Sequence, residues 1–167
     1  LYYDVDIVNS LLSVTSLLGD VVPARSLEAI SKLVADRENV LQQISDLHQL
    51  RDDPPGGKTR REKAKDLTIR ILHGGAYATW IRDYQAADVV GHSLIRRMGS
   101  QLGEGRGALV KHEHGVRPGW VDSQLERLRA KGKHDPTASL FAILIQDRQD
   151  DCVLQGSQTL LRHGWRT

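Results

Sequence analysis

The amino-acid sequence predicts an all-α protein, a bundle of five to seven helices with a glycine-rich irregular excursion near residues 99–119. Three observations carry this expectation. Apolar residues recur every three or four positions through most of the chain, most plainly at Leu27, Ile30, Val34, Leu41 and Ile44, the spacing of one helix face. Helix punctuation is clear. Asp52-Asp53-Pro54-Pro55-Gly56-Gly57 ends any helix, and Thr59 with Glu62 three residues on reads as a capping box. Aromatic residues are few, with Phe141 the single phenylalanine, so Leu, Ile, Val and Ala must build the core.

A first helix is expected from about Asp6 to Leu18, where Ile7, Leu11, Val14 and Leu18 share a stripe and Gly19 supplies a stop. A second runs from about Ala24 to Leu50. Leu33, Val40 and Leu47 widen its heptad face to the breadth of a bundle helix. Arg37 and His48 interrupt that face; Arg37 reads as snorkelling and His48 as lying at the helix end. After the Pro-Gly break a third helix, from Thr59 to about His73, carries Ala64, Leu67 and Ile71. Gly74-Gly75 separates it from a fourth, about Tyr77 to Met98. Six glycines from Gly99 to Gly119 predict irregular backbone, with Leu109 and Val110 as its one strand. Pro118 to Lys131 returns to helix, with Val121, Leu125 and Leu128 inward. Asp135-Pro136 is a helix start. Ser139 to Ile145 is apolar all round and reads as a buried helix or a buried strand; a strand would make the class α+β. A last helix passes through Leu154, Leu160 and Leu161.

The 167 residues fit a single domain, 1–167. Net charge is only +2 but unevenly spread: residues 1–57 hold four basic and nine acidic side chains, and residues 58–167 hold nineteen and twelve. The Pro-Gly stretch therefore divides an acidic helical part, 1–57, from a basic part, 58–167. Such asymmetry points to an anionic partner, or to two halves that attract each other or a neighbouring copy. Cys152 is the single cysteine; beside Val153 and Leu154 it reads as a buried thiol. With no disulfide framework, a reducing compartment is expected, cytoplasmic or otherwise intracellular. No apolar run is long enough to span a bilayer, and the first residues lack the basic-then-apolar order of a secretory signal.

Motifs for catalysis are weak. Gly57-Lys58-Thr59 resembles the end of a phosphate loop, but the earlier glycine is missing and Pro54 and Pro55 offer no N–H to a phosphate. His73-Gly74-Gly75 and Gly91-His92-Ser93 echo pieces of a hydrolase, yet Ile95 stands where the elbow needs glycine. Gly103-Glu104-Gly105-Arg106-Gly107 reads as a mobile surface loop, since Glu104 would repel phosphate. Asp88 and His92, four apart on the expected fourth helix, read as an ordinary ion pair. His112 and His114 are the best metal-ligand pair, because residues two apart on an extended segment point the same way. No third ligand is evident, and neither a metal nor a cofactor is expected.

The basic clusters carry more. Lys58, Arg60, Arg61, Lys63 and Lys65 crowd the start of the third helix, where the helix dipole disfavours cations. Arg96 and Arg97 stand at the expected end of the fourth. Arg117, Arg127, Arg129 and Lys131 continue the basic character, and Trp120 beside Arg117 offers a ring for base stacking. These residues predict a small non-enzymatic binding protein with a basic surface for nucleic-acid phosphates. The alternatives are an assembly subunit, or homo-oligomer, with complementary acidic and basic halves, and a small His-dependent hydrolase or metalloenzyme. No membrane partner is expected.

Overall fold

The computed structural model describes Thr15 and residues 18–162. From residue 18 to 162, two 3-10 turns, Leu18–Asp20 and Ala24–Ser26, precede seven helices: α1 (Glu28–Ala35), α2 (Arg37–Leu47), α3 (Arg60–Leu72), α4 (Tyr77–Tyr84), α5 (Ser93–Val116), α6 (Pro118–Ala130) and α7 (Pro136–Arg162). No strand occurs among the described residues, and the fold is an all-helical bundle. The expected helix Asp6–Leu18 lies, save Thr15 and Leu18, outside them. No described helix is long and apolar enough to cross a membrane.

α5 is the central element, touching α1, α3, α6 and α7. Its buried residues, Ile95, Met98, Leu102, Gly105, Leu109 and Glu113, fall three and four apart along one stripe. This overturns the expected excursion at 99–119 and the strand at Leu109–Val110. Each interior glycine costs about 0.5–1 kcal/mol against alanine. Burying a large apolar side chain returns about 1.5–3 kcal/mol, and Ile95, Met98, Leu102 and Leu109 are all at most 1% exposed. Two of the glycines also let neighbours in. A Cβ at Gly105 would meet Val22, and one at Gly99 would meet Ile71 of α3.

The expected second helix is two. Asp36 leaves the helical region (φ −130°, ψ 39°) and its carboxylate accepts from the Asn39 amide at 2.8 Å. Leu27, Ile30, Leu33, Val40, Leu41 and Ile44 are buried on either side of this bend, whereas Val34 is half-buried and Leu47 is exposed. α3 keeps its expected bounds. Its capping box is complete, Glu62 N–H donating to Thr59 Oγ1 at 3.2 Å and Thr59 N–H to Glu62 Oε2 at 2.8 Å.

The expected fourth helix is interrupted at Gln85, whose φ of 48° is left-handed. The cause is tertiary. Ala87 N–H donates to the His48 carbonyl at 3.0 Å, and the His48 imidazole Nδ1 lies 2.8 Å from the Ala87 carbonyl. A carbonyl only accepts, so Nδ1 carries the proton. Nε2, 2.7 Å from the Tyr77 hydroxyl, then accepts from it, and the Tyr77 oxygen accepts from His92 N–H at 3.1 Å. His48 is fully buried among Tyr77 and Trp80, and every polar atom of its ring is matched. Ser139–Ile145 is helical, part of α7, which removes the α+β alternative. Cys152 is exposed, against expectation, because the second half of α7 leaves the body of the bundle.

Candidate polyanion-binding surface

The basic residues at the start of α3 are mostly turned onto the acidic part of the same chain. The Arg61 guanidinium donates twice to Glu38 of α2, at 2.7 and 2.6 Å. Lys63 is buried; its ammonium donates to Asp53 at 2.5 Å and to the Arg51 carbonyl at 2.8 Å. Lys58 donates to the Tyr84 hydroxyl at 2.6 Å and lies 5.2 Å from the ring centre. Arg60 is exposed, 4.0 Å from Asp46. These pairs hold two carboxyls below their ordinary range, Glu38 chiefly through hydrogen bonding from Arg61 and Asp53 chiefly through hydrogen bonding from Lys63. Lys65 alone of this cluster is exposed with neither an ion pair nor a side-chain hydrogen bond among the described residues.

Arg96 and Arg97 lie near the start of α5, not the end of a helix, because the chain breaks at Gln85. Arg97 is 3.7 Å from Glu28, and Arg96 is exposed. Arg117 is held by Glu113 at 2.8 Å and caps Trp120, its guanidinium 3.9 Å from the ring centre. That face of the indole is therefore covered by a cation of its own chain.

Arg127, Arg129 and Lys131 differ from these. With Lys133 they surround the end of α6, all exposed, and none has an ion-pair partner among the described residues. The backbone there is rigidly closed. Gly132 takes φ +69°, its N–H donates to the Arg129 carbonyl at 2.9 Å, and Lys133 N–H donates to the Leu128 carbonyl at 3.1 Å. This is the double-bonded glycine cap of a helix C-terminus. The buried Leu128 and Val121 anchor the opposite side of α6. Cations in the last turn also face the partial negative charge of the helix end.

The catalytic echoes find no supporting geometry. Lys58 N–H donates to Asp53, Asp53 N–H to the Lys58 carbonyl, and Gly57 N–H to the Pro54 carbonyl, so these N–H groups are occupied within the loop. His73, at the surface, caps the end of α3, and partial desolvation, then the charge of Arg106, push its imidazole below the ordinary range. Gly91-His92-Ser93 leads from a loop into α5 with no strand before it, and Asp88 and His92 lie in that loop, not on a helix. His112 and His114 are on a helix, where residues two apart point to different sides. His112 is exposed, and His114 Nε2 lies 3.3 Å from Asp122. Among the described residues no group of three or more His, Cys, Asp or Glu is placed to hold a metal ion.

Two structural side chains escaped the sequence reading. Glu113, between those histidines, is the inward residue and accepts from Arg117 at 2.8 Å and from Arg148 of α7 at 3.0 Å. Arg106, read as a mobile loop residue, donates to the Ile71 and Leu72 carbonyls at 2.6 and 3.2 Å and so caps α3. The stripe spacing Leu102, Leu109, Glu113 was the signal for the first; nothing local marks the second. Comparison with protein-family models, curated proteins and solved structures finds no match to this chain.

Proposed function

We propose that the protein is a non-enzymatic binding module that takes a nucleic-acid phosphate backbone on the end of α6. The carrying observation is that Arg127, Arg129, Lys131 and Lys133 crowd a rigid helix end, exposed and without carboxylate partners among the described residues. Most cations of α3 are instead engaged within the chain. A cation that gives up no internal pair contributes its full counterion-release gain when it meets a phosphate. Lys65 and Arg96, also exposed and unpaired, are the remaining contributors from the predicted set. The Arg61–Glu38 and Lys63–Asp53 pairs speak against an assembly in which one copy's acidic part meets another's α3, because these charges already face each other within one chain.

The test is a salt titration of binding to a short DNA duplex and to single-stranded RNA. Changing Arg127, Arg129, Lys131 and Lys133 to Gln should weaken binding about equally across sequences. The slope of log K against log salt should become shallower by up to about one unit for each phosphate no longer neutralised. Affinity that ignores salt, or that survives the fourfold change, would sink this reading.

A further inference from the structure

The segment 87–92 carries the chain from the Gln85 turn to α5, and Asp88, Val89 and Val90 within it are exposed. Two tethers hold it. One is the pair of bonds between Ala87 and His48, at the end of α2. The other is His92. Its N–H donates to the Tyr77 oxygen at 3.1 Å, and its imidazole Nε2 lies 2.9 Å from Gln43 Oε1 of α2. An amide oxygen only accepts, so Nε2 carries the proton and Nδ1 keeps a bare lone pair. The tethers meet at Tyr77, whose hydroxyl donates to His48. The chain closes tightly there: a Cβ at Gly91 would stand 2.9 Å from Tyr77 Cζ.

The place suits a neutral imidazole. Nδ1 of His92 is buried and has no hydrogen-bond partner, so a proton there would make a buried donor without an acceptor. His92 is also the N-cap of α5, whose first turn holds no acidic residue. A cation at that position meets the partial positive charge of the helix start. The titratable and charged groups around it are His48 of α2, the Tyr77 hydroxyl of α4, Asp88 in the segment itself and, one turn into α5, Arg96. Among the described residues no carboxylate forms an ion pair with the ring. Desolvation accordingly holds the His92 imidazole below its ordinary range.

We propose that His92 is a proton-operated latch, which on acidification takes a proton from water on Nδ1, lets go of Gln43 and Tyr77, and frees the segment 87–92 from the end of α2. In the freed segment the charged ring reaches solvent, where Nδ1–H finds an acceptor. The opening is local. α4 and α5 on either side are anchored by Trp80 and Ile95, both fully buried, whereas nothing between Ala87 and Gly91 is buried.

Amide hydrogen exchange, read as protection factors at about pH 7.5 and about pH 5.5, tests this. The Ala87 and His92 amides should lose protection by up to about tenfold at the acidic end, the limit for one imidazole a unit below its ordinary value near about 6.5. Urea below the unfolding transition should not speed exchange at Ala87, because a local opening exposes little surface. It should speed exchange at Leu102, inside α5, which exchanges only on global unfolding. His92→Gln, which cannot take the proton, should keep the Ala87 protection the same at both pH values. In wild type the nitrogen shifts of the ring report its titration, and the loss at Ala87 should follow His92, not another imidazole. Unchanged protection at Ala87, the urea response of Leu102 at Ala87, a His92→Gln variant that opens in acid as wild type does, or a loss that follows a different histidine would each overturn the latch.

Discussion

Arg61 of α3 grips Glu38 of α2 through two parallel bonds, 2.7 Å from Nε and 2.6 Å from Nη2, so the basic part of the chain is fastened to the acidic part at this point. The cost of cations at the start of α3 is offset by these internal carboxylates. In the structure Arg60, Arg61 and Lys63 engage Asp46, Glu38 and Asp53. Arg61 is about half exposed, and Arg61→Gln should cost under about 1 kcal/mol. Lys63 is buried, and Lys63→Gln strips the Arg51 carbonyl of its donor, which should cost about 1–3 kcal/mol. Urea denaturation of the two single variants checks the order. A midpoint that Lys63→Gln leaves in place would mean that this bond does not form in solution.

The glycines of α5 make a second contrast. A Cβ at Gly103 or Gly107 would meet nothing within 4 Å, whereas one at Gly105 would stand 3.0 Å from Val22 Cγ1. All three have ordinary helical backbone. Gly103→Ala and Gly107→Ala should therefore each stabilise the protein by about 0.5–1 kcal/mol through lost unfolded-state freedom. Gly105→Ala should gain nothing or lose, because Val22 must move. Thermal unfolding of the three variants reads this directly. An equal rise for all three would mean that α5 does not pack against the Val22 turn.

The same glycines explain where sequence reading ran out. α3 was legible because its signals are local, Thr59 and Glu62 bonding each other across three residues. Ile30, Leu41 and Ile44 were legible because their spacing is local too. The excursion expected at 99–119 weighed propensity alone, while the burial that overrides it comes from α1, α3, α6 and α7. The break at Gln85 depends on His48, far back in the chain, bonding Ala87. At the candidate surface the basic residues were legible, but which of them remain unpaired was not. Arg61 meets a carboxylate twenty-three positions upstream, and no local pattern marks that. Cys152 misled for the same reason, since its apolar neighbours Val153 and Leu154 lie on a part of α7 where they are exposed among the described residues.

The pH response follows from two histidines. Partial desolvation holds the imidazoles of His73, at the surface, and of half-buried His92 below the ordinary range, helped at His73 by the charge of Arg106. In the unfolded chain both titrate near about pH 6.5. Just below that pH the unfolded chain binds more protons than the folded one, so stability rises with pH there. The contribution is fully present above the unfolded value and is lost as pH falls toward the folded values. The depressed carboxyls of Glu28, Glu38, Asp53 and Glu62 act in the same direction, but only below the ordinary carboxylate range. Between about pH 7.5 and pH 5 the loss therefore belongs to the histidines. The unfolding midpoint should be lower at the acidic end of that window. In a His73→Gln, His92→Gln double variant the difference between the two pH values should shrink, whatever its absolute stability. A wild-type midpoint that is flat or rises on acidification would show that neither imidazole is held neutral by the fold.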